Sequence, residues 1–212
     1  ILAAVNYRRN TGKGQFVDVA MMDGCVPFNS LDGASFLVSG EEPKREGERL
    51  NGGCMYDFYE TKDGLYMSVG SLEPQFWKSF CMAIGREDLI DGTVWPENVD
   101  EVKAEIRGIF KTKTRDEWTE VFSHYDACVQ PVLNLKEALL EDEQVKDREM
   151  VVDVDLPLHD GVKVKQLATS IKLSECPCEY KFAGYPVGYH TKEVIEKLGL
   201  SYEELETKGV FK

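Results

Sequence analysis

The chain has 212 residues, of which 42% are hydrophobic and 30% are charged, and its formal net charge is −13. These values are typical of a globular protein with one or two domains and a substantial core. The acidic excess argues against nucleic acid as a partner, because proteins that bind it present a basic face to the phosphates. We also expect no membrane contact, since no apolar run is long enough to span a bilayer and no signal peptide is recognisable.

The cysteines are scattered along the chain, and only Cys176 and Cys178 lie close together. No paired C-x-x-C motifs or suitably spaced histidines accompany them, so we expect no metal site. Scattered reduced thiols are typical of cytosolic proteins, and the predicted location is therefore cytoplasmic.

The N-terminal part of the sequence predicts a helix, a strand, a second helical stretch and a linker. Apolar spacing predicts a helix over Ile1–Arg9 that ends at Gly12. The apolar run Phe16–Ala20 predicts a strand buried on both faces. Met21–Val38 is predicted to be largely helical, and the charged segment Gly40–Leu50 to be a surface linker. Because the sequence begins inside an uncapped helix, we expect residues preceding Ile1 to belong to the same fold.

A glycine pair, a hairpin and a helix follow one another after the linker. Gly52 and Gly53 have no Cβ, so the backbone can come close to a neighbouring group there. Pro74 suits a first helical turn, where its missing N–H costs nothing. The predicted elements are strands Tyr56–Thr61 and Leu65–Val69, a turn at Lys62-Asp63-Gly64, and a helix from Pro74 to Ile84.

Glu73 is the candidate functional acid of this region. Its position at the start of the predicted helix favours the ionised carboxylate through the helix dipole. It also lies close in sequence to the glycine pair, which is a plausible arrangement for part of an active site. The alternative is an acid that only improves the helix cap, as acidic residues often do in first turns.

The remaining sequence predicts further helices and one more hairpin. Asp126 and Cys128 lie together, and a buried loop entering a strand explains them without catalysis. The three histidines belong to no recognisable catalytic arrangement and are interpreted as structural. The predicted elements are helices beginning at Asn98, Thr114 and Asn134, a short helix or connector in Glu141–Glu149, strands Met150–Leu156 and Val162–Ala168, and helices Thr191–Leu198 and Ser201–Lys208.

Several motifs together resemble the CoA-transferases of family III, the CaiB/BaiF type, and most of all their α-methylacyl-CoA racemase branch. The resemblance covers nearly the whole chain in order. The motifs are Gly12-Lys13-Gly14-Gln15, Val17-Asp18-Val19-Ala20-Met21, Asn51-Gly52-Gly53, Tyr56-Asp57-Phe58-Tyr59-Glu60-Thr61-Lys62-Asp63-Gly64, Val69-Gly70-Ser71-Leu72-Glu73-Pro74-Gln75-Phe76 and Tyr185-Pro186-Val187-Gly188-Tyr189-His190-Thr191.

The resemblance implies an α/β fold with a Rossmann-like large domain, a small α+β domain and long linkers. In this family two chains interlock as a homodimer. The chain would then hold only the C-terminal portion of the large domain. The implied division is 1–20, the end of the N-terminal part of the large domain; 21–55, a linker; 56–140, the small domain; 141–165, a return linker; and 166–212, the C-terminal part of the large domain.

The resemblance also implies a chemistry, which is proton transfer at the α-carbon of 2-methylacyl-CoA thioesters. Coenzyme A would be part of the substrate, and no separate cofactor is expected. The main bases of racemases, an Asp and a His, match no residue here and would precede Ile1. Glu73 matches the supporting carboxylate that faces that histidine, and the predicted substrate-binding residues are Asn51, Gly52, Gly53 and Tyr56.

Alternatives remain open on the sequence alone. CoA transfer between carboxylic acids is the alternative within the family, although the short Asn-Gly-Gly-Cys loop favours the racemase branch. The chain could also be a non-catalytic half that serves dimerisation. On its own we expect it to be inactive, and poorly soluble or oligomeric.

Overall fold

The computed structural model of the chain describes residues 1–48, 50, 52–92 and 96–211. The chain divides into two compact units, Ile1–Val132 and Leu133–Lys212. Both units contain helices and antiparallel strands, which confirms the mixed α/β class. The Rossmann-like large domain, the interlocked dimer and the division into five segments stay predictions.

Short helices form in the two parts of the first forty residues where helices were predicted, Ile1–Arg9 and Met21–Val38. Gly12 adopts a left-handed conformation, with φ 72°, directly after the first helix. The long second helix is interrupted near Pro27, because proline has no N–H to continue the ladder and the backbone tightens into a 3-10 turn there. The elements are α1 Leu2–Thr11, α2 Met21–Cys25, the 3-10 turn Val26–Asn29, and α3 Asp32–Ser39.

The prediction of a buried strand at Phe16–Ala20 is wrong. In the described part of the chain this segment pairs with no strand, and the side chains of Phe16 and Val19 are 91% and 84% exposed. A strand needs a neighbour to accept and donate its backbone hydrogen bonds. Apolar composition is typical of a buried strand, but it carries no information on whether a partner strand is present.

The core of the first unit is built on a small antiparallel sheet. Its strands are β1 Asp57–Glu60, β2 Tyr66–Val69 and β3 Val129–Pro131, in the order β1-β2-β3. β1 and β2 form the predicted hairpin, and Gly64 adopts φ 77° in its turn. Tyr59 lies opposite Met67, and both side chains are fully buried.

Helices cover one side of this sheet and supply most of the core. Thr114, the predicted start of the last of them, forms a capping box, in which its hydroxyl accepts from the Glu117 N–H and the Glu117 carboxylate accepts from the Thr114 N–H. The helices are α4 Pro74–Ile84, α5 Val99–Phe110 and α6 Arg115–Ser123. The apolar faces predicted for them are buried, including Trp77, Phe80, Cys81 and Ile84 on α4 and Val102, Ile106 and Phe110 on α5.

Phe110 stands at the centre of the aromatic packing. Its ring lies 5.0 Å from the rings of Tyr59 and Trp118, and 6.1–6.3 Å from those of Phe80 and Phe122. It therefore connects β1, α4 and α6 to the C-terminal end of α5, and all five side chains are nearly or fully buried.

The second unit contains the predicted hairpin and short helices. Asn134 and Glu137 exchange reciprocal hydrogen bonds at the start of a helical turn, as predicted. Gly161 adopts φ 75° in the turn between the strands. The elements are the π-helical turn Glu137–Glu141, α7 Glu143–Asp147, β4 Val151–Asp155, β5 Lys163–Leu167, α8 Thr191–Lys197 and α9 Tyr202–Thr207.

Replacing Phe110 by Ala should lower the free energy of unfolding by about 3–5 kcal/mol, because it opens a cavity between four rings. Urea unfolding followed by tryptophan fluorescence measures this change. Phe58→Ala is the control, since the Phe58 ring is 62% exposed, and it should cost less than about 1 kcal/mol. Equal losses for the two variants would show that Phe110 has no special place in the core.

Candidate active site

The glycine pair lies in a loop that folds back against the preceding linker. Gly52 adopts φ 82°, which favours glycine. A Cβ at Gly53 would overlap the carbonyl group of Gly47, and the Gly53 N–H donates to the Glu48 carbonyl at 3.0 Å. The close backbone approach predicted for this pair is therefore present. Asn51 lies outside the described residues.

A buried lysine contacts this loop from helix α5. The Lys103 residue is 4% exposed, and its Nζ donates to the Gly52 carbonyl at 2.6 Å. The same Nζ lies 2.6 Å from Oδ2 of Asp57, at the start of β1. Arg107, one turn further along α5, reaches the same carboxylate oxygen at 3.2 Å from a more exposed position. The loop, the sheet and α5 thus meet at one ammonium group.

The two cations keep Asp57 ionised. Burial alone would raise the pKa of this carboxyl, but hydrogen bonds from Lys103 and the Phe58 N–H, with the charges of Lys103 and Arg107, lower it below its ordinary value. The carboxylate in turn supplies the negative charge that a buried ammonium requires.

A cleft of about 560 Å³ opens beside the loop. Gly52 and Tyr56, which are predicted substrate-binding residues, both line it, together with residues of β1, β2 and Cys128. The Tyr56 ring lies against Gly70, where a Cβ would come within 3.4 Å of it. Gly53 lies against Gly47 and supports the loop at that point.

Glu73 lies at the N-terminus of α4, as predicted. It is exposed and occupies the cap position, with Pro74 next in the helix. Within the described residues its carboxylate accepts no hydrogen bond from the helix N–H groups. The interpretation of Glu73 as a simple capping acid therefore rests on the helix dipole alone, without a hydrogen bond from the side chain. Its catalytic role stays a prediction.

The segment that carries Glu73 is fastened to the loop before β3. The Gly70 N–H donates to the Cys128 carbonyl at 2.9 Å, and the Ser71 hydroxyl donates to the Ala127 carbonyl. Cys128 is exposed and lines the cleft, and it adopts φ 50°, which is uncommon outside glycine. The prediction that this loop enters a strand is confirmed. Its predicted burial holds for Ala127 but is wrong for Asp126 and Cys128, which are exposed.

The charge of Glu73 affects the pKa of the Cys128 thiol. Partial burial raises the pKa of Cys128, and the nearby carboxylates of Asp126 and Glu73 raise it further. The thiol is therefore protonated at neutral pH. Glu73 and the cleft residue Cys128 accordingly belong to one electrostatic environment.

Lys103 and Cys128 were missed by the sequence reasoning. Lys103 adjoins the apolar face of α5, but a lysine there is ordinarily exposed, so periodicity gives no signal of its burial. The sequence predicts a loop at Cys128 but not its place in the cleft, because that place depends on pairing between β2 and β3.

No histidine lines the cleft in the part of the chain that the structure describes. His124 contacts Glu120 on α6 at 3.2 Å, and His190 packs against the rings of Tyr185 and Tyr189. The described residues include no group of His, Cys, Asp and Glu side chains that could hold a metal ion. They also include no helix that is long and apolar enough to cross a bilayer.

The sequence pattern described as CoA-transferase family III matches residues 1–191. The chain belongs to this family. Its relatives include the human "Alpha-methylacyl-CoA racemase", 30% identical over 208 residues, which span 97% of this chain and 53% of that protein. Another is the "Succinyl-CoA:mesaconate CoA-transferase" of Haloarcula hispanica, 30% identical over 204 residues, 94% of this chain and 50% of that protein.

Solved structures share the fold of this chain. A CaiB/BaiF family protein from Brucella suis superposes with a TM-score of 0.67 at 20% identity, over 93% of this chain and 51% of that chain. A mutant of Rv3272 from Mycobacterium tuberculosis gives 0.71 at 18% identity, over 92% and 50%. The family III chain thus spans about half the length of the proteins that it matches.

The contribution of Asp57 to stability should depend on pH. Because its pKa is lowered in the folded protein, the contribution is fully present above the unfolded value, near 4, and is lost as pH falls through the lowered value. Asp57→Asn should cost about 3 kcal/mol at pH 7, since it leaves a buried ammonium without its carboxylate. Urea unfolding should show this difference shrinking below about pH 4. A constant difference, or a similar trend for the exposed Asp91→Asn control, would contradict the assignment.

The pKa of Cys128 should fall when Glu73 is replaced by Gln, because one of the charges that raises it is removed. The pH dependence of iodoacetamide labelling, followed by mass spectrometry of the Cys128 peptide, measures this shift. Glu87→Gln removes an exposed charge on the same unit and should leave the profile unchanged. Identical profiles for the wild type and Glu73→Gln would place Glu73 away from the cleft.

Proposed function

We propose that the whole protein carrying this chain catalyses reversible proton transfer at the α-carbon of a 2-methylacyl-CoA thioester. The observation that carries the proposal is the exposed carboxylate of Glu73, which accepts no capping hydrogen bond from α4 and acts on Cys128 in the lining of the cleft that Gly52 and Tyr56 also line. The similarity to racemases and the short glycine loop support the same choice.

In this proposal the chain supplies the surface that holds the thioester. The loop at Gly52 and Gly53 offers backbone without side chains, so a flat thioester group can approach it closely. The Tyr56 ring provides an apolar wall of the cleft. Coenzyme A enters as part of the substrate, and no further cofactor is needed for a proton transfer.

Glu73 acts through another residue rather than on the substrate. A base on one face of the α-carbon removes its proton, the electron pair moves into the thioester carbonyl as an enolate, and an acid on the other face returns a proton. The family resemblance assigns these two roles to an Asp and a His outside this chain. The Glu73 carboxylate would accept a hydrogen bond from that imidazole, fix its tautomer and stabilise its protonated form.

CoA transfer between carboxylic acids is the second candidate. It is favoured by relatives whose names describe CoA transfer, such as the "Succinate--glutarate CoA-transferase" of Agrobacterium fabrum. The two reactions differ in their need for a second carboxylic acid. A homodimer of interlocked chains is proposed for both, and a purely scaffolding role for this chain is the remaining alternative.

Exchange of the α-proton in D₂O with a 2-methylacyl-CoA distinguishes these functions. We expect the whole protein to exchange it without an added acid and this chain alone to be inactive. Glu73→Gln should slow exchange by about 10–100-fold, less than the loss of a base itself. Glu87→Gln, which removes a charge outside the cleft lining, should retain the wild-type rate.

Other results would redirect the assignment. CoA appearing on an added carboxylate, with no α-exchange, would move the protein to the transferase reaction. Absence of both activities from the whole protein would favour the scaffolding role. Full exchange by Glu73→Gln would remove Glu73 from the mechanism.

A further inference from the structure

We propose that Lys103 is the positioning residue of the glycine loop, and that its buried ammonium fixes where the Gly52–Gly53 peptide lies in the cleft. The inference rests on the proposed function, in which this loop holds the acyl thioester. Lys103 does not line the cleft itself, so its effect on the reaction would pass through Gly52.

The contacts of Lys103 differ from those of an ordinary ion pair. Its ammonium lies 2.6 Å from the Asp57 carboxylate and 2.6 Å from a backbone carbonyl that is 51 residues away in sequence. Burial of a lysine is costly and is found where the charge is fully paired. Arg107 supplies a cation to the same Asp57 oxygen with its side chain 53% exposed. Pairing with Asp57 alone thus needs no buried lysine, whereas reaching Gly52 does.

The loop needs an anchor because of its own composition. Glycine populates many backbone conformations, so Gly52 and Gly53 lose more freedom on ordering than other residues. Their backbone hydrogen bonds are local, from Gly52 N–H to the Tyr56 carbonyl at 3.3 Å and from Gly53 N–H to the Glu48 carbonyl at 3.0 Å. Lys103 ties the loop to α5, an element packed into the core.

The ammonium also acts on the peptide group itself. The Gly52 carbonyl and the Gly53 N–H belong to the same peptide, and a cation at the carbonyl oxygen polarises that unit. Polarisation strengthens the hydrogen bond that the N–H donates, here to Glu48. Replacing Lys103 by a residue without a donor would therefore remove the hydrogen bond to the Gly52 carbonyl and weaken the one from the Gly53 N–H to Glu48.

The position of the glycine loop matters for catalysis because it sets the distances between the reacting atoms. Proton transfer requires the reacting atoms at close, defined separations, and a displacement of about 1 Å can cost about 100-fold in rate. A displaced loop should lower kcat more than it changes the binding of coenzyme A, because under the proposed function the loop holds the thioester group of the substrate.

The kinetic test compares Lys103→Met with Arg107→Met in the whole protein. Both remove a cation bonded to Asp57, but only the first removes the donor to Gly52. We expect kcat for α-proton exchange to fall about 30–100-fold in Lys103→Met and to stay within about threefold in Arg107→Met. The Kd of coenzyme A should stay within about threefold in both. Lys103→Gln keeps an N–H donor and should give an intermediate kcat.

Hydrogen exchange of the loop provides a test that is independent of the reaction. The Gly53 amide should exchange about tenfold faster in Lys103→Met than in Arg107→Met, read by mass spectrometry of peptides covering Gly52 to Tyr56. If the wild type shows no α-exchange but the loop is released, the proposed function fails and the positioning role stands. Kinetics are then repeated with CoA transfer.

Definite results would overturn the proposal. Equal kcat and equal Gly53 exchange in Lys103→Met and Arg107→Met would reduce Lys103 to a structural ion pair. Release of the loop with an unchanged kcat would separate Lys103 from the reaction. If neither Lys103→Met nor Lys103→Gln folds, Lys103 is a requirement of the fold and the positioning role is rejected.

Discussion

The ion pair between the buried ammonium of Lys103 and the carboxylate of Asp57 joins three elements beside the cleft: the glycine loop, β1 and α5. Lys103 comes from α5, Asp57 begins β1, and the third partner is the carbonyl of Gly52. Removal of one member of such a pair typically costs about 3–5 kcal/mol, because the other charge is left in a poorly hydrated place. That cost is a large fraction of the stability of an ordinary domain. The conformation of the glycine loop therefore depends on an ion pair that also stabilises the first unit.

The chemistry of the cleft suits holding a reactive group more than attacking it. Backbone at Gly52, the ring of Tyr56 and the thiol of Cys128 line it. A thiolate beside a thioester would displace coenzyme A and leave an acylated cysteine. Partial burial and the carboxylates of Asp126 and Glu73 raise the pKa of Cys128, so they lower the thiolate fraction that could attack a thioester held there under the proposed function. Under the proposed function, Glu73 would then both support a base and protect the substrate.

Local signals in the sequence predict most of the secondary structure. The hairpin around Gly64, the capping box at Thr114 and the apolar faces of α4 and α5 all follow from short-range periodicity and turn chemistry. The strand expected at Phe16–Ala20 fails because pairing depends on residues distant in sequence. The burial of Lys103 and the position of Cys128 in the cleft could not be predicted for the same reason. The close backbone approach at the glycine pair and the position of Glu73 at a helix start could be predicted, because both depend on local backbone conformation.

Helix α5 carries core residues and the two cationic partners of Asp57. Ile106 and Phe110 pack among the rings, while Lys103 and Arg107 reach the carboxylate of Asp57. A repacked core can keep its stability while this helix rotates slightly about its axis, and such a rotation would move the ammonium off the Gly52 carbonyl. Thermostabilising selections that redesign this helix are consequently expected to yield robust proteins with misaligned cleft loops. Directed evolution for stability should therefore leave the register of α5 untouched and seek its gains on other elements.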